Sequence, residues 1–186
     1  MARDAGTKGR VRGYIASSID GFIAGVDDDL SWLPDDVPEP DEGSGVVDYA
    51  SFTADVGALL MGRRSFDVVH GMDVPWPYTD PVCVATHRPL PDDAPEGVIP
   101  VAGTIDELVD RALEVAAGRD VYVDGGDLLR QVLAAGRLDE IVITYISKVL
   151  GAGVPLFAGG AAAELRVVSA VPYGDSMAQL TLVPAR

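Results

Sequence analysis

The stretch Val121–Phe157, VYVDGGDLLRQVLAAGRLDEIVITYISKVLGAGVPLF, contains a complete strand–helix–strand unit. An apolar run over Val121–Val123 predicts a buried strand, and the glycine pair Gly125-Gly126 follows it at once. Apolar residues then recur at helical spacing until Gly136, which predicts a helix that ends there. Because Leu138–Ile146 returns as a second strand, the stretch predicts a right-handed βαβ crossover.

The glycine pair Gly125-Gly126 lies between the predicted strand and the predicted helix. Glycine lets the backbone pass close to a ligand, and a helix N-terminus offers unpaired N–H groups and the positive end of a dipole. The pair therefore predicts an anion site, although a purely structural turn explains it equally well. The dinucleotide pattern G-x-G-x-x-G is absent.

Composition restricts the class of protein. The chain has 186 residues, 48% of them apolar, and a net charge of −15, which predicts one globular domain over residues 11–186 after a flexible arm at 1–10. Such an acidic chain repels nucleic acid and anionic membrane surfaces. No apolar run reaches the length of a membrane helix and no signal peptide is evident, so we expect a cytoplasmic protein.

Metal-binding residues are sparse. Cys83 is the only cysteine, which excludes an internal disulfide and a cysteine zinc cluster. The histidines His70 and His87 are too few and too far apart for a metal site. The acidic run Asp27–Asp29 lies in a long loop over Gly25–Gly45, where solvated surface and a metal site are both open explanations. We expect no metal.

The rest of the chain alternates predicted strands with predicted helices. This order, followed by a hairpin, predicts an α/β sandwich with a mixed, mainly parallel sheet and an antiparallel C-terminal edge. The predicted strands are Val11–Ser17, Gly57–Met61, Val82–Ala85 and Ile99–Val101, with a hairpin of Leu165–Val171 and Met177–Val183. The predicted helices cover Val46–Val56, Ser65–Val69 and a segment that a Thr104–Glu107 capping box opens.

Two strings, the glycine-helix-strand unit above and MGRRSF at Met61–Phe66, resemble the dihydrofolate-reductase-like superfamily. The chain is most similar to the reductase domain of the bacterial riboflavin-biosynthesis deaminase-reductases and their stand-alone relatives, over roughly residues 11–183. The resemblance implies a three-layer sandwich and an NADPH-dependent reductase.

NADPH also fits the residues at the predicted strand ends, which face one crevice in an open α/β sheet. Its pyrophosphate needs backbone N–H donors, and its 2′-phosphate needs guanidinium groups. The resemblance assigns the same roles to Gly62, Arg63, Arg64 and Ser65 around the phosphates, to Thr86, His87 and Arg88 at the 2′-phosphate, and to Gly125, Gly126, Asp127 and Leu128 at the pyrophosphate. For Arg63 and Arg64 ordinary surface charge is the alternative.

Asp48 is the carboxylate that the resemblance places against the substrate. Asp48–Phe52, DYASF, is similar to a superfamily segment whose carboxylate binds the pterin ring, and Thr144 resembles the threonine that supports this carboxylate. An ordinary carboxylate at a helix start is the alternative for Asp48.

The remaining predicted substrate and lid residues are Ile15, Asp20, Gly21, Trp32 and Phe52. For Ser18–Gly21 a plain hairpin turn is equally open, and Trp32 must either pack on the domain or cover a ligand.

Two departures from the family pattern concern the substrate. Phe22 stands where the riboflavin-pathway reductases usually have lysine, and Ser147 stands where they commonly have proline. We therefore expect a small pterin-like or aminopyrimidine-like heterocycle, with 5-amino-6-(5-phosphoribosylamino)uracil of riboflavin biosynthesis as an alternative. A non-catalytic NADP-binding or regulatory protein is the alternative from another class.

Val149–Ala163 is rich in glycine and nearly free of polar side chains. Its backbone must be covered by the domain or by another subunit. The resemblance implies a homodimer through this end of the sheet, with Leu150–Gly160 and the C-terminal hairpin at or beside the interface. The alternative is that the segment folds back over its own sheet.

Overall fold

An eight-stranded sheet lies at the centre of the computed structural model, which describes residues 9–159 and 162–185. The strands are β1 (Val11–Ser18), β2 (Phe22–Ala24), β3 (Val56–Gly62), β4 (Val82–Ala85), β5 (Val98–Val101), β6 (Asp120–Asp124), β7 (Glu140–Ile146), β8 (Val154–Pro155), β9 (Leu165–Tyr173) and β10 (Met177–Pro184). The helices are α1 (Tyr49–Thr53), α2 (Arg63–His70), α3 (Ile105–Val115) and α4 (Gly126–Ala134).

The large sheet has the strand order β5-β4-β3-β6-β1-β7-β10-β9. Strands β1, β3, β4, β5, β6 and β7 are parallel, whereas β10 is antiparallel to both β7 and β9. Strands β2 and β8 form a separate antiparallel ribbon. The predicted mainly parallel sheet with an antiparallel C-terminal hairpin is confirmed.

Side chains that alternate along the strands build two apolar layers, one on each face of the sheet. Leu60 packs into the layer beneath α3 and α4, while its neighbours Leu59 and Met61 point to the opposite face. There they meet Phe52 of α1 and Phe66 of α2, both fully buried. The predicted three-layer sandwich follows from this alternation.

The predicted helix over Val46–Val56 is wrong at both ends, because α1 is confined to Tyr49–Thr53. At the N-terminal side the backbone of Val47 is bound by a distant side chain. The Gln179 Oε1 atom accepts from Val47 N–H at 2.7 Å, and Gln179 Nε2 donates to the Val47 carbonyl at 2.9 Å. At the other side Val56 is fully buried and already belongs to β3.

Two further predictions need correction or completion. Most of the predicted arm, residues 1–8, lies outside the described residues, but Arg10 is bound through its guanidinium group to Asp120 at 2.8 Å.

The predicted crossover from β6 through α4 to β7 passes over a neighbouring strand, because β1 lies between these two strands. Strand β1 thus occupies the middle of the unit and carries its own side chains to the same sheet edge.

None of the helices in the described part is long and apolar enough to cross a membrane. Residues 9–159 and 162–185 also hold no group of three or more His, Cys, Asp or Glu side chains arranged to bind a metal ion.

Candidate functional site

A cleft of about 830 Å³ opens at the carboxyl ends of the parallel strands, where the sequence predicts a ligand-binding crevice. It is bordered by the ends of β1, β3, β4 and β6 and by the first turns of α2 and α4. The sequence-predicted residues that line it are Ile15, Gly62, Arg63, Arg64, Ser65, Thr86, His87, Gly125, Gly126, Asp127 and Leu128. The structure therefore brings most of the predicted cofactor residues together.

The two turns that begin α2 and α4 touch each other inside the cleft. Gly125 has φ +91°, and a Cβ atom there would collide with the Ser65 hydroxyl group. At Gly126 a Cβ atom would approach the Ile23 side chain to 2.7 Å. The positive φ requires glycine at Gly125, whereas a larger residue at Gly126 would have to displace the end of the Ile23 side chain.

Neither helix start is capped by a side chain. The N-cap residues are Gly62 for α2 and Gly125 for α4, and no side-chain capping hydrogen bond is present at either. The first-turn N–H groups of both helices therefore remain available to an external acceptor. Adjacent free N–H groups at two helix N-termini suit a diphosphate.

Arg63 lines the cleft, whereas Arg88 is the one predicted cofactor residue that does not. The two arginines come from different elements and share one carboxylate. Arg63 Nε donates to Asp67 Oδ1 at 2.7 Å, and Arg88 Nη2 lies 3.5 Å from Asp67 Oδ2. Arg63 Nη1 also donates to the Pro89 carbonyl at 2.8 Å. Thr86 Oγ1 accepts from the Arg88 N–H at 3.0 Å, which shapes the turn after β4. Arg63 is therefore held in place on two sides, whereas Arg88 makes one longer contact to the same carboxylate and stays largely exposed.

Arg64 faces the other side of the cleft. Its Nη2 atom lies 2.8 Å from Asp28 Oδ1, so it ties the loop after β2 to the start of α2. The Arg64 side chain is 69% exposed. His87 is exposed at the cleft edge. The Asp127 carboxylate is bound to Arg130 and Gln131 along its own helix, which directs it away from the helix start.

Asp124 is a cleft residue that the sequence analysis does not identify. It ends β6 directly before the glycine pair, and its Oδ1 accepts from Gly125 N–H at 2.9 Å. Tyr78 donates to Asp124 Oδ2 at 3.4 Å, and the Tyr122 hydroxyl lies 3.5 Å from Oδ1. Burial raises the pKa of Asp124 above its ordinary value, and these hydrogen bonds only partly offset the effect. An acidic residue at a strand end before Gly-Gly is the signal that could have revealed it.

Asp48 and Thr144 are not paired with each other. Asp48 caps α1, where its carboxylate accepts from Ser51 N–H at 2.8 Å and from the Ser51 hydroxyl at 2.6 Å. These bonds lower the pKa of Asp48, and the bond from the Ser51 hydroxyl has the largest effect. Thr144 is buried and accepts instead from Gln179 Nε2 at 3.1 Å. Neither Asp48 nor Thr144 lines the cleft.

Tyr14 lies at the cleft, next to the buried pair Thr144 and Gln179. It lines the cleft, and its hydroxyl donates to the Val47 carbonyl at 3.1 Å. Burial is the largest of the effects that raise the pKa of Tyr14 to about 12, so the phenol stays protonated at neutral pH. Tyr14 of β1 therefore lines the cleft together with Ile15, while Thr144 and Gln179 do not line it.

The remaining predicted lid residues have structural roles. Asp20 accepts from Ser18 Oγ at 2.6 Å and from the N–H groups of Leu150 and Gly151, so it fastens the turn that contains Gly21 to the segment after β7. Trp32 is buried against Ile146, Tyr173 and Met177, which answers the open question in favour of packing on the domain. Phe52 belongs to the core.

Comparison with known proteins gives consistent matches. A family model described as the RibD C-terminal domain matches residues 74–178. The uncharacterised protein YwjB of Bacillus subtilis (strain 168) is 30% identical over 145 residues, which cover 77% of this chain and 80% of YwjB. The crystal structure of a putative riboflavin biosynthesis protein from Shewanella sp. PV-4 has a TM-score of 0.81 at 31% identity, with 95% of this chain and 99% of that chain covered.

A more distant structure shares the fold. Dihydrofolate reductase from Enterococcus faecalis, complexed with NADP(H), has a TM-score of 0.63 at 19% identity, with 96% of this chain and 98% of that chain covered. The dihydrofolate-reductase-like architecture that the sequence predicts is thereby confirmed.

Proposed function

Because the chain belongs to the RibD C-terminal domain family, we propose that it is an NADPH-dependent reductase that acts on a small heterocyclic substrate. The observation that carries the proposal is the contact between two uncapped helix starts at Ser65 and Gly125, beside Arg63, which is held in place, and the more exposed Arg88. This arrangement provides separate receptors for a diphosphate and for a phosphate monoester, which are the two anionic parts of NADPH.

The residues present fit the cofactor. The N–H groups that follow Gly62 and Gly125 would hold the diphosphate, and Arg63 and Arg88 would hold the 2′-phosphate. The fold relative from E. faecalis is itself complexed with NADP(H). Bound NADPH would supply the hydride, so the chain needs no nucleophile of its own.

What the chain must add is an acid and a dry surface for the substrate ring. Asp124 is the carboxyl group best suited to hold a proton, because its pKa is raised while that of Asp48 is lowered. Tyr14 and Tyr122 both border the cleft, and the half-buried Tyr14 offers its aromatic ring to a planar substrate, whereas Tyr122 is buried against Phe52. A role for Asp48 and Thr144 at the substrate stays a prediction from the resemblance.

Titration of the purified protein with NADPH and with NADH, followed by fluorescence or calorimetry, tests the cofactor. We expect NADPH to bind at least about tenfold more tightly, since a hydrogen bond to a charged group contributes roughly 1.5–3 kcal/mol. Arg63→Met should remove most of this difference. Equal affinity of the wild-type protein for both nucleotides would contradict the assignment of the arginines.

Turnover is tested separately, by screening pterins, aminopyrimidines and 5-amino-6-(5-phosphoribosylamino)uracil for oxidation of NADPH. Oxidation with any of them identifies the substrate class. Tight NADPH binding without oxidation across the whole panel would favour the non-catalytic NADP-binding alternative.

A further inference from the structure

Asp67 connects two cationic side chains that come from different parts of the chain. It lies on α2, one turn after Arg63, and each of its carboxylate oxygens faces one guanidinium group. Arg63 belongs to the same helix, whereas Arg88 follows β4. Asp67 therefore joins the two elements that form the mouth of the cleft.

Arg63 is fixed on two sides by this arrangement. Its Nε atom is bound to Asp67 at 2.7 Å, and its Nη1 atom is bound to the Pro89 carbonyl at 2.8 Å. As a result the side chain is only 18% exposed, compared with 69% for Arg64 and 70% for Arg88. Within the described residues these bonds leave other guanidinium N–H groups of Arg63 available to a ligand.

We propose that Asp67 is a positioning residue that sets the preference of this protein for a cofactor with a 2′-phosphate. By holding Arg63 and Arg88 together, it prepares a receptor for a phosphate monoester. The inference rests on the proposed function, because it concerns how the NADPH site selects its ligand.

Two opposite effects of the carboxylate must be weighed. Its negative charge repels a phosphate, but two guanidinium groups at 2.7 and 3.5 Å already offset that charge. An unheld arginine side chain carries about 2 kcal/mol of rotamer entropy, which phosphate binding would have to overcome for each side chain. The repulsion between the Asp67 carboxylate and the phosphate is also screened in solution. The entropy saved by holding the arginine side chains therefore outweighs this repulsion.

The variants Asp67→Ala and Asp67→Asn separate position from charge. Asparagine keeps the oxygen that accepts from Arg63 Nε and removes the charge, although its amide nitrogen can no longer accept from Arg88. Alanine removes both the charge and the two acceptors. Dissociation constants for NADPH and NADH are measured for both variants and the wild type. We expect Asp67→Ala to lower the ratio of NADPH affinity to NADH affinity about tenfold, equivalent to about 1.4 kcal/mol, while Asp67→Asn keeps it within about threefold. NADH affinity should stay unchanged in both.

Glu114→Ala is the matched control, since Glu114 is another exposed carboxylate that pairs with an arginine on its own helix, here Arg111 on α3. Its affinity ratio should equal that of the wild type.

Three outcomes overturn the inference. An unchanged or higher ratio in Asp67→Ala would mean that the carboxylate does not position the arginines. An equal loss of NADPH and NADH affinity would mean a general structural role. A wild-type protein that binds neither nucleotide would contradict the proposed function as well. A wild-type protein that prefers NADPH to NADH, with the same preference in Asp67→Ala, contradicts this inference alone.

Discussion

At the scale of single residues, the surroundings of Asp48 and of Asp124 shift the pKa of the two carboxyl groups in opposite directions. Asp48 is bound by the hydroxyl and N–H groups of Ser51, which stabilise the carboxylate and lower its pKa. The half-buried Asp124 lies between Tyr78 and Tyr122, where desolvation of its carboxyl group favours the protonated acid. A proton donor near neutral pH needs the second kind of surroundings, and only Asp124 also lines the cleft.

Asp124→Asn should lower kcat/KM by about 10²- to 10⁴-fold, the usual contribution of a general acid. Steady-state kinetics with the substrate found by screening measures this loss. Asp175→Asn, in the exposed turn between β9 and β10, is the control and should be neutral. Activity that survives Asp124→Asn would remove Asp124 from the mechanism.

The same substitution should change how stability depends on pH. The pKa of Asp124 is raised in the folded chain, so the folded state binds more protons than the unfolded state between the two pKa values. Its contribution to the free energy of unfolding is full below the unfolded pKa and is lost as pH rises through the folded pKa. Denaturation from acidic to neutral pH should therefore show Asp124→Asn gaining stability relative to wild type as pH rises.

At the scale of elements, local and distant contacts define different helix ends. The start of α3 is set by its own residues, because Thr104 and Glu107 form the predicted capping box. The start of α1 is capped by Asp48, and Gln179 of β10 binds both backbone groups of Val47, which keeps the preceding residues out of the helix. This is why sequence periodicity locates α3 correctly and extends α1 too far.

Gln179→Leu should destabilise the protein more than Thr104→Ala does. The first change removes the acceptor of the Val47 N–H and the donor to the Thr144 hydroxyl, which costs about 1–3 kcal/mol for each group left unpaired. The Val47 carbonyl keeps its bond from Tyr14. The second removes one cap, which costs about 1 kcal/mol. Urea denaturation gives both values, with Thr104→Ser as the control that keeps the cap. The reverse order would show that the Gln179 contacts contribute little.

At the scale of the whole molecule, one edge of the sheet is exposed and apolar. Strand β9 is the last strand, and its Val167 and Val168 are 55% and 53% exposed. In the preceding segment Leu156 is buried in the core, while Val149 and Phe157 are exposed. The segment thus folds partly onto its own domain and leaves apolar surface at the edge, which a second copy could cover.

We expect a homodimer in which this edge and the described part of Leu150–Gly160 form or flank the interface. Light scattering coupled to size exclusion should give about twice the chain mass of 19.5 kDa. Val168→Lys should shift the protein to monomer, whereas Val37→Lys, in the exposed long loop, should not. A wild-type particle of single-chain mass at micromolar concentration would refute the dimer.

The sequence by itself predicted the eight strands of the large sheet, most helices, and the glycines and arginines at the strand ends, but not the short ribbon of β2 and β8. These features depend on residues a few positions apart, through apolar periodicity, capping and the glycine turn at Gly125-Gly126. Only the tertiary structure decided which carboxylate enters the cleft. Asp124 rather than Asp48 does so, because Tyr14 of β1 lines the cleft while Thr144 does not, and Tyr78 reaches Asp124 from a distant loop. Such contacts join residues far apart in the chain, and no local pattern records them.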